Sequence, residues 1–196
     1  LKTFIYRFKI FNLKDENPLE TSIKFAEENI GRLQEPEKSI FNIAIASLYE
    51  SYLSQNLHNI KKQQSIVDQE LDMKFWSKAT FEKVINKYYD NALSDVESLQ
   101  NNSTKSYQDV LTIDNSNNNF DYEIEPTLYD YVMHKIMRLQ DHKTTRPQDL
   151  YQELIDFDKK KDYTDAAIYN EILKAKYEYE TSNDLEAYLN SLIKIK

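Results

Sequence analysis

The sequence predicts an all-α fold, an irregular array of antiparallel helix pairs with TPR-like, α-solenoid character and no significant sheet. Three observations carry this. The 196 residues contain one glycine, Gly31, so the positive-φ turns of tight hairpins are not supplied. Apolar side chains recur at steps of three and four, and no segment alternates apolar and polar residues at strand period. The chain is 40% hydrophobic and 30% charged, which suits amphipathic helices that each bury one stripe.

Leu1, Phe4, Ile5, Phe8 and Phe11 fall at helical spacing, with Lys2, Arg7 and Lys9 between them, and open the chain on a helix. Asn17-Pro18 reads as an N-cap followed by proline at the first helical position, and Leu19, Ile23, Ala26, Ile30 and Leu33 continue as a stripe. Glu35-Pro36 repeats the signal. A long helix follows on Ile40, Phe41, Ala44, Leu48, Tyr52 and Ile60, fraying through Lys61 to Gln64. Asp68 to Trp76 holds no sustained period and reads as a surface linker. Ser77 starts the next helix, with Phe81, Val84, Ile85, Tyr88, Ala92 and Val96 on one face.

Short helical pieces around Leu99 and from Tyr107 to Leu111 lead into Asp114 to Phe120, an Asn, Asp and Ser run that reads as an exposed loop. Pro126 restarts order. Its helix carries Leu128, Tyr131, Val132, Lys135, Ile136 and Leu139, the lysine stem lying along the stripe. Three more helices are expected about Pro147 to Phe157, Thr164 to Tyr179 and Asp184 to Ile195. Lys159-Lys160-Lys161 and Thr181-Ser182-Asn183 serve as their connectors. The expected organisation is one elongated helical domain over 1–196, with a sub-boundary near 112–125. A start at Leu1 without methionine, and a last helix running to Lys196, predict a piece of a longer chain.

Composition narrows the function classes. Net charge −8 and a pI near 5.0 oppose approach to nucleic acid or an anionic membrane surface, so neither is an expected partner. With no cysteine, disulfides, thiolate nucleophiles and cysteine zinc sites are excluded. No apolar run approaches the roughly 20 residues that span a bilayer, which predicts no direct membrane insertion. A monomer is expected. The 15 tyrosines and 9 phenylalanines cluster on the helical stripes. They read as space-fillers between stacked helices, each hydroxyl reaching water or a backbone carbonyl; the sharper reading is an aromatic groove for a peptide or glycan.

Candidate chemistry is sparse. His58, His134 and His142 are scattered, no HExxH pattern occurs, and His134 has no assembled partner in sequence. A serine nucleophile would need a glycine-rich elbow, which the lone Gly31 does not provide. The sequence therefore predicts no catalytic residue, cofactor or metal. Asp114, Ser116, Asn118 and Glu125 do stand at positions 1, 3, 5 and 12 of an EF-hand calcium loop. Asn119 occupies the glycine position and Pro126 follows at once, so a solvated loop is the expected identity. An all-helical enzyme with two carboxylates a few ångströms apart is a further reading.

One run stands out: Glu125-Pro126-Thr127-Leu128-Tyr129-Asp130-Tyr131-Val132-Met133-His134-Lys135. It resembles a stretch in the amino-terminal helical region of large bacterial alpha-2-macroglobulin family proteins of the Bacteroidetes type, where the usual form is Arg-Pro-Thr-Leu-Tyr-Asp-Phe followed by Leu-Ala-His-Arg. Phe75-Trp76-Ser77-Lys78-Ala79-Thr80-Phe81-Glu82-Lys83-Val84 resembles that family's tryptophan-containing helix start, and Tyr89-Asp90-Asn91-Ala92-Leu93 its end. Coverage is best from Phe75 to Gln140. Glu125 departs from the family's arginine, and Val132-Met133 from its Leu-Ala.

The resemblance implies a noncatalytic accessory or interaction domain of a protease-inhibitor-type protein in the periplasm or cell envelope, with a lipoprotein as parent. Its partners would be downstream macroglobulin-like modules of the same chain and other envelope proteins. The alternative is an independent helical-repeat module that binds peptide or glycan. In either case Trp76, Phe81, Pro126, Thr127, Leu128, Tyr129, Asp130 and His134 form a structural motif. Trp76 and Tyr129 would anchor helix ends, and Thr127 or Asp130 would cap the first turn after Pro126.

Overall fold

The computed structural model describes residues 1–60, 72–111, 121–140 and 147–195, and they are all-α. Among them the one strand-like pairing is an isolated antiparallel bridge between Ser103 and Thr127. The chain divides into two compact units, Leu1–Leu99 and Gln100–Lys196. The division falls between Leu99 and Gln100, ahead of the stretch near 112–125, of which 112–120 lie outside the described residues. Polar loops do not reveal which helices share a core.

The first unit contains α1 (Lys2–Lys14), α2 (Pro18–Asn29), α3 (Glu37–Ile60) and α4 (Lys78–Ala92), each packed on the next, and α5 (Val96–Gln100) follows. Phe4, Phe8 and Phe11 of α1 meet Phe25 of α2 edge-on at 5.5 to 6.3 Å, and Phe8 stacks on Phe41 of α3 at 5.8 Å. Both prolines start helices as expected, with a twist. Asn17 makes no side-chain cap; the Asp15 carboxylate instead accepts from Asn17 N and Thr21 Oγ1 at 3.1 and 2.9 Å. Before α3, Glu35 accepts from Ser39 N and Oγ at 3.0 and 2.7 Å. An acidic side chain thus satisfies orphan donors where the helix dipole favours it.

α3 buries more than the expected stripe. Ile40, Phe41, Ile43, Ile45, Ala46, Tyr49, Tyr52, Leu53 and Ile60 are buried, while Ala44 and Leu48 are only half-buried. The reason is that α3 packs on both α2 and α4. α3 and α4 run antiparallel, Tyr49 stacking on Tyr88 and Tyr52 on Phe81. Ser77 caps α4 by accepting from Thr80 N at 3.2 Å. In the segment before it, Asp72, Lys74 and Phe75 are exposed as expected of a surface linker, but Met73–Phe75 forms a 3-10 turn and Trp76 enters the core, 8% exposed and stacked on Tyr49. Asp68 to Leu71 lie outside the described residues.

The second unit holds a 3-10 turn at Thr104–Tyr107, α6 (Gln108–Leu111), α7 (Leu128–Gln140), α8 (Pro147–Lys160), α9 (Thr164–Ser182) and α10 (Leu185–Lys194). α7 packs on α8, α8 on α9 and α9 on α10. α8 and α9 are antiparallel, with Tyr151 against Tyr177 near one end and Lys159 paired to Glu171 near the other. Lys159 and Lys160 complete the last turn of α8, where cations suit the dipole, so only Lys161 remains as a connector. Asp162 at φ 59 turns the chain, and Tyr163 N closes the turn on Asp158 O at 2.9 Å. Thr181 and Ser182 likewise belong to α9, which Asn183 ends in the left-handed region at φ 57. Asp184 then caps α10.

Candidate functional site

The start of α7 is built by reciprocal capping. Thr127 Oγ1 accepts from Asp130 N at 3.4 Å, and Asp130 Oδ2 accepts from Thr127 N at 2.9 Å and from Thr127 Oγ1 at 2.5 Å. Thr127 and Asp130 both act, in a capping box with Asp in the place of the usual Glu. Just before it, Leu128 N bonds to Asn102 O at 2.8 Å, and Thr104 Oγ1 donates to Glu125 O. These bonds hold Glu125 beside the helix.

Four residues after Asp130, one helical turn onward on the same face, stands His134. Spacing along the chain offers it no partner; the structure supplies two. Its Nδ1 lies 2.7 Å from Glu125 Oε1, and its Nε2 lies 2.6 Å from Asn170 Oδ1 of α9. Asn170 Nδ2 in turn donates to Asp158 Oδ2 of α8 at 2.8 Å. Asp158 Oδ2 accepts from the amide nitrogen, which sets the Asn170 oxygen toward the ring, so Nε2 carries the hydrogen. The Tyr169 ring covers His134 edge-on at 5.7 Å.

The chain of contacts closes where Asp158 meets Asp130. Their side chains are in hydrogen-bond contact, and both residues are 0% exposed. Burial pushes the Asp158 carboxyl up to about 8, and the neighbouring Asp130 charge adds to that rise. Burial raises Asp130 as well, against the Thr127 bonds that favour its charged form. The expectation that His134 has no assembled partner is thus corrected. Six side chains, Glu125, Thr127, Asp130, His134, Asp158 and Asn170, form one interior network across α7, α8 and α9.

The network is closed off from solvent. Asp130, His134, Asp158 and Asn170 are each at most 1% exposed. Two carboxyls in direct contact leave no room for the bond or water that glycosidase pairs, about 5 to 9.5 Å apart, hold between them. Two surface cavities of about 290 and 270 Å³ lie along α8, α9 and α10, lined by Lys159, Glu171 and Lys194 among others, and none of the six residues lines either.

The tyrosines correct a second expectation. Tyr49 and Tyr88 both donate to Glu27 Oε1 at 2.7 Å, Tyr52 to Glu20 at 3.2 Å, Tyr89 to Glu50 at 2.8 Å and Tyr129 to Glu153 at 2.6 Å. The hydroxyls reach carboxylates on neighbouring helices, not backbone carbonyls. Burial, reinforced by these acids, raises the phenols of Tyr49, Tyr88, Tyr89 and Tyr129, and takes Tyr52 up to about 12.

Of the remaining motif residues, Phe81 and Leu128 are fully buried, Pro126 is half-buried, and Tyr129 packs edge-on against Phe157 at 5.1 Å. Trp76 and Phe81 lie together at 5.2 Å. The buried face of α7 is wider than the expected stripe: Leu128, Val132 and Ile136 are buried as expected, Tyr129, Met133, His134 and Met137 join them, and Tyr131 and Lys135 are half-buried. Leu139 is outside the described side chains. So are Asp114, Ser116 and Asn118 of the calcium-loop pattern; its fourth member, Glu125, is described and engaged by His134. No group of three or more metal-binding side chains occurs among the described residues. Asp158 and Asn170 carried no sequence signal, being 24 and 36 residues beyond His134. Compared with family models, curated proteins and solved structures, the chain matches none.

Proposed function

We propose that this chain is a noncatalytic accessory domain of a cell-envelope alpha-2-macroglobulin-like protein, docking the β-sandwich modules of the same polypeptide. One observation carries the reading. Thr127, Leu128, Tyr129, Asp130 and His134, the residues of the family-like run, are all between 0 and 3% exposed. They hold a scaffold together and present nothing to a substrate. Contact would then fall to the surface. α10 turns Leu185, Leu189 and Ile193 outward at 57, 50 and 77% exposure, an apolar row at helical spacing. Sequential packing from α7 to α10 supports a repeat-like, TPR-type array, and that no described helix is long and apolar enough to cross a membrane agrees with this role.

The test begins with the parent reading frame. Macroglobulin-like modules encoded in the same frame, supplied as a separate protein, should bind this chain in a calorimetric titration. Leu189→Asp with Ile193→Asp should weaken that binding at least tenfold with helicity unchanged. A frame without such modules, or modules with no affinity, sinks the proposal. Binding of soluble peptides or glycans in their absence would favour the alternative, an independent recognition module.

A further inference from the structure

The acid pair has an unfinished hydrogen-bond account. Asp130 Oδ2 accepts two bonds from Thr127 and Asp158 Oδ2 accepts one from Asn170, yet Oδ1 of each acid has no donor. Two orphaned oxygens at 0% exposure, one on each of two touching carboxyls, are costly if both groups are ionised. A single proton removes the deficit, because it bonds one oxygen and is accepted by the other. We propose that Asp158 and Asp130 share one proton through their Oδ1 atoms, and that this proton is a pH-sensitive latch joining α7 to α8.

The geometry also says where the proton rests. Asp130 receives two donors on its other oxygen and lies one turn from His134, so its charged form is the better supported; Asp158 receives one. The proton is therefore covalent to Asp158 and donated to Asp130. The groups facing the pair come from every neighbouring element. The segment before α7 contributes Glu125 through His134, α7 contributes His134 and Tyr129, and α8 contributes Glu153 through Tyr129. α9 contributes the uncharged Asn170 and the Tyr169 ring. None of these is a lysine or arginine that would replace the proton.

The sign follows from linkage. A carboxyl whose folded value is raised binds a proton that the unfolded chain releases near pH 4, so the latch is fully stabilising below that pH. It is lost progressively as pH rises and is absent above about 8, where Asp158 ionises in the folded state.

Carboxyl-carbon NMR on the full chain tests this directly: one aspartate should titrate near pH 8 and sense a second, with the amides of α7 and α8 shifting in step. In urea unfolding, the wild-type unfolding constant should rise up to tenfold per pH unit between pH 5 and 7, relative to Asp158→Asn. That variant supplies a permanent N–H in place of the proton and should keep its stability while losing the slope. Asp130→Asn offers the same N–H from the other side and should behave alike. The double variant sets donor against donor, so it should be less stable than either single one. Titration of all aspartates below pH 6, equal slopes in wild type and both single variants, or additive loss in the double would overturn the latch. So would abolition of the titration by millimolar calcium or magnesium, which would assign the gap to a metal ion.

Discussion

The two units solve the same problem, buried polar groups between packed helices, with opposite chemistry. In the first, each buried hydroxyl of Tyr49, Tyr52, Tyr88 and Tyr89 meets a carboxylate, so every contact contains one donor and one acceptor. The donor's proton is bound to a phenol whose acidity burial has lowered, and it stays there across the physiological range. The second unit uses such a contact once, at Tyr129 and Glu153, and then sets two acids face to face. There the missing donor must come from solvent. The first interior is closed to pH, and the second is open to it.

Variants can sharpen or break this contrast. The largest effect belongs to the first unit. Trp76→Ala removes a ring sandwiched against Tyr49 and Phe81 and should cost about 3 to 5 kcal/mol in urea unfolding, with no dependence on pH. A loss below about 1 kcal/mol would mean that the ring does not support the core. His134→Ala in the second unit strands Asn170 Oδ1 and the Glu125 carboxylate, and should cost about 2 to 4 kcal/mol. If its cost were near zero, the six-residue network would be ornamental. Next comes the slope itself. Wild type should lose about 1.4 kcal/mol per pH unit against Asp158→Asn between pH 5 and 7, whereas Tyr49→Phe should leave the pH profile of stability parallel to wild type. Parallel profiles for both would erase the contrast. Smallest is the cap: Thr127→Ala should cost about 1 kcal/mol, and Thr127→Ser should restore most of it.

What was legible in the sequence was local. Asn17-Pro18, Ser77 and Pro126-Thr127 announce helix starts because capping and proline chemistry act within a few residues, and helices begin beside all three. Faces were less legible. A single stripe on α7 misses Met133, His134 and Met137, because the helix buries a face wider than one row of side chains. The network was not legible at all. Asp158 and Asn170 look like ordinary surface polar residues until the antiparallel pairing of α8 and α9 sets them side by side and points them at His134. Nor could the hydroxyl partners be read, since Glu27 and Tyr88 are 61 residues apart.

Glu27 itself has a kinetic consequence. Its one oxygen receives Tyr49 from α3 and Tyr88 from α4, so a single carboxylate on α2 ties three helices. The two bonds close loops of very different length, 22 and 61 residues, and the shorter closure has the smaller entropic barrier. We therefore expect α2 and α3 to pair first, with Glu27 half-satisfied, and α4 to dock onto that hairpin and complete it. Chevron analysis would then give Tyr49→Phe a higher φ-value than Tyr88→Phe, and the reverse order would show that α3 and α4 nucleate the unit instead. Glu27 is in this sense a clock as well as a clasp, recording which helix arrived last.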